Sequence, residues 1–251
     1  MQKEEFMLQK RLIELSRTAD QRGIVSFSDF LNLNELHILH TIPKAELYTP
    51  YCTFGGYDYA ERQMVAFLSD ALCYQYEYPI SVLKIRPLQK KFAEELSHRD
   101  YLGAILNLGI ERCKIGDILV MENEALVFVH SSLETFLKEE LTRIRHTSVQ
   151  IECIAVDALS YKPKTECIKG TVASLRLDSL LALAFSPSRS KIVPYIEGGK
   201  VFVNGKMITS NGYQIKEQDI VSVRGFGRFR YVEMLSETKK GRYLVRLEKY
   251  I

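Results

Sequence analysis

The strongest constraint on the fold lies between residues 171 and 230, where two short helical patterns precede a hairpin pattern. The first pattern places apolar residues three and four positions apart, which is typical of a helix with one buried face. That face is formed by Leu177, Leu180, Leu181 and Ala184. A helix that buries only one face needs a second element to pack against, so this run predicts a small module rather than an isolated helix.

The run SPSRSKIVPYIEGG at residues 186–199 predicts the second helix. Ser186 is a suitable N-cap and Pro187 is tolerated at the first helical position, which places residues 188–191 in the opening turn. The backbone N–H groups of that turn, two hydroxyls, a guanidinium and an ammonium together suit a phosphate group. Pro194 removes a helical hydrogen bond and predicts a shortened or kinked helix, and residues 198–199 supply its end.

The run GKVFVNGK at residues 199–206 predicts a tight hairpin, because Asn204 and Gly205 accept the positive φ values of a two-residue turn. Lys200 and Lys206 flank the turn. A further strand is predicted over residues 220–224, followed by GFGRFR at 225–230, where aromatic rings alternate with cations.

The order and spacing of RLD at 176–178, SRS at 188–190, GKVFVNG at 199–205 and DIVSVRG at 219–225 resemble the S4 domain, which several RNA-binding families share. The resemblance implies an RNA face made by Arg176, Ser188, Arg189, Lys191, Lys200, Asn204, Lys206 and Arg224. Ser190 at the helix start and Arg228 in the aromatic turn are added from their positions alone. Asp178 is interpreted as the structural partner of Arg176.

Charge is unevenly distributed along the 251 residues, whose formal net charge is +3. Residues 170–251 contain 14 Lys and Arg against 7 Asp and Glu, whereas the first 169 residues contain 20 against 24. This asymmetry predicts a polyanionic partner that is approached through the C-terminal part.

Five scattered cysteines without a Cys-x-x-Cys pair indicate a reduced, cytoplasmic protein. The N-terminus is too charged for a signal peptide, and no apolar run approaches the ~20 residues that cross a bilayer, so no membrane insertion is expected.

Residues 1–78 are predicted to form a mainly helical domain. One apolar stripe is made by Leu8, Leu12, Leu15 and Ala19, and residues 34–42 form a second helix with an Asn cap. Residues 47–59, rich in Gly and aromatics, are interpreted as a loop, and residues 60–68 as a helical or mixed segment. A binding role for this loop is a minority alternative to simple ring packing.

Residues 79–157 are predicted to form a ferredoxin-like βαββαβ domain, which makes the whole chain α+β. The predicted order is a strand at 80–86, a helix at 99–109, a hairpin of 117–121 and 125–129, a helix from Ser132 to Ile144 and a strand at 148–154. RNA-recognition motifs use the same framework, but these strands lack the aromatic signature of that motif. The remaining residues, 158–251, are assigned to a connection, the S4 domain and a terminal hairpin of 231–235 and 243–248.

Taken together, GGY at 55–57, AER at 60–62 and HRDYLGAILNLGIERCKIGD at 98–117 resemble the bacterial YlmH family over nearly the whole chain. The resemblance implies binding to ribosomal RNA, and also to tRNA, on large ribosomal subunits that are blocked by peptidyl-tRNA. It further implies support for C-terminal tailing of the stalled chain in ribosome-associated quality control, with the tailing factor as a partner. An older association of the family is with cell division.

Two alternatives of other classes remain open. One is an RNA-modifying enzyme with its active site in the N-terminal half, and the other is a cell-division factor that acts through protein partners. RLD at 176–178 is similar to the catalytic motif of pseudouridine synthases, but their S4 domain precedes the catalytic domain. The sequence shows no Gly-rich Rossmann loop, nucleotide-binding signature or P-loop, and His37 and His40 lack a third metal ligand nearby. We therefore expect a non-enzymatic protein without cofactor or metal.

Overall fold

The computed structural model describes residues 3–69, 76–122, 124–156, 161, 163–186, 189–239 and 241–251, with the backbone alone at 92, 189 and 190. The chain divides into two compact units, Met1–Tyr161 and Lys162–Ile251. Both contain helices and sheets, so the α+β prediction is confirmed.

The first unit begins with two helices and a small sheet and continues with a larger sheet and two further helices. Its elements are α1 (Lys3–Arg22), β1 (Ser26–Phe27), α2 (Leu33–Thr41), β2 (Tyr51–Phe54), β3 (Met64–Phe67), β4 (Ile80–Pro87), α3 (His98–Leu106), β5 (Ile115–Val120), β6 (Ala125–His130), α4 (Glu134–Glu140), β7 (Arg143–Ile144) and β8 (Thr147–Ile154).

The predicted stripe on α1 faces the core, since Leu12 and Ala19 are fully buried and Leu8 and Leu15 pack at their edge. The cap of α2 is Asn32, whose side chain accepts N–H bonds from Asn34 and Glu35 while Glu35 accepts the N–H of Asn32. Asn34 therefore lies inside the helix that it was predicted to cap.

Two predictions for the N-terminal region are wrong in part. Residues 51–54 are a strand and not loop, and residues 64–67 are a strand and not helical; with β1 they form an antiparallel sheet of order β1-β3-β2. The strand β3 is buried over its whole length. A short run that is buried on both sides lacks the period-two alternation that would distinguish it from a helix.

The larger sheet has the order β5-β6-β4-β8-β7 with antiparallel neighbours. Helix α3 follows β4 and α4 follows β6. Together with these helices, the strands β5, β6, β4 and β8 have the predicted ferredoxin-like arrangement. The helix predicted to reach Ile144 ends at Glu140 instead. Residues 143–144 pair with β8 around a turn in which Arg145 has a φ of +52°, so the chain must leave the helix before that turn.

Both faces of this sheet are covered. On β4, Leu83 and Ile85 pack with the residues of α3 and α4, whereas Ile80 and Val82 pack with Phe30 and other residues of the N-terminal region. Side chains from residues 30–64 and from the sheet therefore fill one core.

The second unit contains β9 (Thr165–Val172), α5 (Leu177–Phe185), α6 (Arg189–Glu197), β10 (Val201–Val203), β11 (Lys206–Met207), β12 (Ile220–Val223), β13 (Gly227–Glu237) and β14 (Tyr243–Tyr250). These strands form one antiparallel sheet of order β11-β10-β12-β13-β14-β9. The predicted connection up to residue 170 is therefore wrong in part, because β9 pairs with β14 from Thr165↔Tyr250 to Val172↔Tyr243.

Helices α5 and α6 pack on one side of this sheet, and the predicted apolar face of α5 is at most 2% exposed. Ser186 does not cap α6 as predicted; it ends α5 with a φ of +59°, and its N–H donates to the carbonyl of Ala182. The end of α6 agrees with prediction, because Gly199 has a φ of +66° and the N–H of Gly198 donates to the carbonyl of Pro194.

Candidate nucleic-acid interface

The start of α5 carries an ion pair between Arg176 and Asp178. Arg176 Nε and Nη2 donate to the two carboxylate oxygens of Asp178 at 3.2 and 3.3 Å. The Asp178 side chain is 10% exposed and the Arg176 side chain 43% exposed. A two-pronged bond of this kind fixes the plane of a guanidinium, so Asp178 orients the outer edge of Arg176 toward solvent. This geometry gives Asp178 the structural role predicted for it.

The structure describes the start of α6 only in part. Ser188 lies outside the described residues, as do the side chains of Arg189 and Ser190, while the backbone of Arg189 begins the helix. Lys191, in the first turn, is exposed. The predicted phosphate site at this helix start therefore remains a prediction.

The hairpin of β10 and β11 has the predicted turn, with φ values of +48° at Asn204 and +77° at Gly205. The side chain of Asn204 is occupied within the protein, because its Nδ2 donates to Asp219 at 2.7 Å and its Oδ1 accepts the N–H of Ile220 at 3.0 Å. Asp219 in turn accepts the N–H of Lys216 at 2.8 Å. Asn204 thus holds the hairpin against the loop before β12, which positions the neighbouring lysines.

The predicted cations lie on both sides of the six-stranded sheet. We call the side covered by α5 and α6 the helix face and the opposite side the open face. Val201 and Val223 are paired and belong to the core under the helices, so the alternation along each strand directs Phe202 and Ser222 to the open face.

Arg224 and Arg228 belong to the open face. The guanidinium carbon of Arg224 lies 5.6 Å from the ring centre of Phe202, and that of Arg228 lies 5.3 Å from the ring centre of Tyr250. Arg228 is also paired with Ser222 across the strands.

Lys200 belongs to the helix face, because its ammonium lies 4.9 Å from the ring centre of Tyr195 in α6. Its carbonyl oxygen accepts the N–H of Arg224 at 3.0 Å, so the two residues are backbone neighbours with side chains on opposite faces. Lys206 is exposed at the other end of the short strand β10. The structure therefore gathers Lys200, Lys206 and Arg224 around β10 but does not place the predicted cations on one surface.

Three residues that the sequence did not single out belong to the same region. Phe185 and Tyr195 contact Phe226 of the aromatic turn, and Lys249 places its ammonium 5.4 Å from the ring centre of Phe185. Lys249 lies on the terminal strand, opposite Phe229. No local pattern marks it, because only the pairing of β13 with β14 brings it to the helices.

The three strings that carry the resemblance in the first unit meet in space. Gly56 packs so closely that an added Cβ would lie 2.4 Å from Phe128 Cδ1, and the Tyr57 ring stacks on Phe128 with centres 4.9 Å apart. The Tyr57 hydroxyl donates to Asp117 at 2.8 Å. The loop that begins at Gly55 is therefore packed against the larger sheet, which agrees with ring packing as the interpretation of its aromatic residues.

Neither a metal site nor a membrane-spanning segment emerges from the part of the chain that the structure describes. Within it, no three or more His, Cys, Asp or Glu side chains are grouped to hold a metal ion. Of the helices so described, none is long and apolar enough to cross a membrane.

Comparisons with known proteins find a similar domain in each of the two units. Residues 74–158 match the family model for the RNA-binding domain in YlmH, and residues 175–221 match the S4 domain model. The chain is 28% identical over 250 residues to the ribosome-associated protein quality control protein P2 of Bacillus subtilis, covering 98% of this chain and 96% of that protein. A solved structure, the cell division protein ylmH from Streptococcus pneumoniae, is 24% identical with a TM-score of 0.51 and covers 62% of this chain and 94% of its own. At this identity the structural likeness shows the fold alone.

Proposed function

Because the chain belongs to the YlmH family of S4-domain RNA-binding proteins, we propose that it is a non-enzymatic adaptor for RNA on the large ribosomal subunit. In this proposal it binds large subunits that are obstructed by peptidyl-tRNA, contacts ribosomal RNA and tRNA, and supports C-terminal tailing of the stalled chain. It acts in the cytoplasm beside the tailing factor, and catalysis belongs to the ribosome.

The observation that carries the proposal is the grouping of cations at one end of the S4 sheet. Lys200, Lys206 and Arg224 are exposed around β10 and β12, and Arg176 is oriented by Asp178 at the start of α5. Cations on a rigid frame bind phosphates with little loss of side-chain freedom, and phosphate contacts fix the register of a protein on RNA. The name of the Bacillus subtilis relative supports the ribosome as the place where this RNA is met.

The role of the first unit follows from its charge and packing. Residues 1–161 contain 17 Lys and Arg against 23 Asp and Glu, so the first unit is less suited to a polyanion than the second. The three strings that carry the family resemblance in this unit join the N-terminal region to the larger sheet. We propose that this unit is a rigid body that holds shape or meets protein partners.

The test is co-sedimentation of the protein with ribosomal particles from a cell lysate, followed by sequencing of the associated RNA. Wild type should be enriched on large subunits that carry tRNA, and Lys200→Glu should reduce this enrichment. The matched control is Lys239→Glu, an equal charge change at an exposed position beyond the far end of β13. Absence of wild type from all ribosomal fractions at modest salt would contradict the proposal.

A further inference from the structure

A shallow apolar cleft of about 10 Å³ lies on the helix face of the second unit, between α5, α6 and the turn that joins β12 to β13. Its lining is aliphatic at the base and aromatic at the rim, and consists of Leu181, Phe185, Ile192, Tyr195, Val223 and Phe226. Phe226 is 37% exposed, an unusual state for a ring whose neighbours belong to a core. None of the predicted RNA-binding residues is among those that line this cleft.

The backbone holds Phe226 in place at the tip of the turn. It stands between Gly225 and Gly227, whose φ values of +85° and +112° lie in a region that L-residues rarely adopt. Its N–H donates to the carbonyl of Val223 at 3.1 Å. The ring centre lies 4.9 Å from that of Tyr195 at an interplanar angle of 78°, and 5.7 Å from that of Phe185. Phe226 is therefore a supported ring with an exposed surface.

Two ammonium groups flank the same rings. Lys200 Nζ lies 4.9 Å from the ring centre of Tyr195, and Lys249 Nζ lies 5.4 Å from that of Phe185. The cleft thus combines an apolar base, an exposed aromatic ring and a positive charge near each of its two flanking rings. A ligand that complements all three is flat and aromatic and carries negative charge on both sides, as a nucleotide within an RNA strand does.

We propose that one unpaired base of the bound RNA stacks on the exposed ring of Phe226 at the mouth of this cleft, while the phosphates on its two sides meet Lys200 and Lys249. The inference rests on the RNA-binding function proposed above and adds which part of the RNA is recognised. A base within a continuous helix has both faces covered by its neighbours, so only a bulged, looped or flipped base can stack on this ring. The cleft therefore selects RNA by the presence of an unpaired nucleotide.

The chain contains no tryptophan, so Phe226→Trp introduces a single indole at the proposed stacking position. Two RNA hairpins of equal nucleotide number are compared, one fully paired in its stem and one with a single bulged adenine. The bulged hairpin should quench the indole fluorescence, and the paired hairpin should not. Wild type should also bind the bulged hairpin more tightly than the paired one.

Phe226→Ala should weaken binding of the bulged hairpin by about tenfold, since stacking of one base on an aromatic side chain has an effect of about this size. The affinity of Phe226→Ala for the paired hairpin should equal that of wild type. Phe226→Leu keeps an apolar side chain but removes the ring, so it should behave like Phe226→Ala toward RNA while staying folded. The control is Leu235→Ala, a 41% exposed apolar residue elsewhere on β13, which should alter neither affinity.

The possible failures are distinguishable. Equal affinity of wild type for both hairpins, without quenching, overturns the cleft proposal but leaves RNA binding intact. Binding of neither hairpin at low salt counts against both proposals. Ribosome association that is lost in Phe226→Ala, with hairpin affinities unchanged, would assign the cleft to a protein contact and overturn the proposal of a base.

Discussion

The carboxylate of Asp117 accepts the backbone N–H of Arg62 at 3.1 Å, across 55 residues of sequence. The same carboxylate accepts the N–H of Glu61 at 2.7 Å and the hydroxyl of Tyr57 at 2.8 Å. Arg62 completes the junction, because its Nε donates to the carbonyl of Ile115 at 2.9 Å. Burial lowers the pKa of Arg62, and burial together with the Arg62 charge lowers the pKa of Arg112 to about 10, whereas the Asp117 charge acts in the opposite direction on both.

Replacement of Asp117 by Ala should lower the free energy of unfolding by about 2 to 4 kcal/mol, because three donors lose their acceptor at once. Urea denaturation followed by circular dichroism would measure this loss. Asp58→Ala is the control, since Asp58 is an exposed carboxylate of the same loop and its removal should have little effect. Similar losses for both variants would show that Asp117 does not hold the junction.

Gly56→Ala should prevent folding of the first unit or destabilise it by about 3 kcal/mol or more, because a Cβ would combine backbone strain with overpacking. The φ at Gly56 is +98°, and the new atom would lie 2.4 Å from Phe128 Cδ1. Gly23→Ala separates the two causes, since Gly23 has a φ of +61° and nothing within 4 Å of an added Cβ. We expect it to cost about 1 kcal/mol in thermal or urea unfolding. An equally mild effect at Gly56 would contradict the close packing.

Asn204→Ala should destabilise the second unit by about 1 to 2 kcal/mol, because it removes two side-chain hydrogen bonds and strains a positive φ. Asn204→Gly removes the same bonds without the strain, so it should be the milder of the two. Both variants, once folded, should bind RNA nearly as wild type does, because the amide of Asn204 is already bonded to Asp219 and Ile220. A large loss of affinity in stably folded Asn204→Gly would instead give Asn204 a direct RNA contact.

Lys200→Glu should weaken RNA affinity by about tenfold at low salt and by less at high salt, because each phosphate contact releases counterions. The slope of log affinity against log salt should fall by about one for each phosphate that the variant no longer neutralises. Arg189→Glu is expected to act in the same direction. Lys239→Glu serves as the control, because β13 has 11 residues and at ~3.3 Å per residue separates its two ends by about 30 Å. If the slope of log affinity against log salt were the same in wild type and all three variants, Lys200 and Arg189 would not contact RNA phosphates.

His130 should make stability depend on pH. Burial and the charge of Lys114 lower the pKa of His130, whose Nδ1 accepts the N–H of Ser132 at 3.2 Å. The unfolded chain therefore takes up this proton near pH 6.5, before the folded protein does, so stability falls as pH is lowered from about 7.5 to 5.5. Urea midpoints measured over this range should fall less steeply for His130→Asn than for wild type. His146→Asn, in the exposed turn between β7 and β8, controls for the loss of an imidazole, and an equally reduced slope there would contradict the assignment.

The parts of the fold that were predictable are those with a local physical cause. The period of Leu177, Leu180 and Leu181 predicts α5, and the Asn204-Gly205 pair predicts its hairpin, because helix burial and positive φ are properties of neighbouring residues. The order of strands and helices in the ferredoxin-like part was predictable because each of those elements has its own local pattern. The strand β9 was missed because its pairing with β14 depends on residues some 80 positions away, and most of its side chains are exposed.

The sequence by itself determined which residue types are available: cations concentrated after residue 170, an S4 pattern of turns and helix starts, and three family-like strings before it. Only the tertiary structure decided how they are used. Ring contacts place Lys200 beside Tyr195 and Arg224 beside Phe202, on opposite sides of the sheet. Strand pairing brings Lys249 to Phe185, and a side-chain hydrogen bond joins Tyr57 to Asp117. The physical reason is that composition and periodicity are local, whereas the face of a side chain and its distant neighbours are set by sheet register.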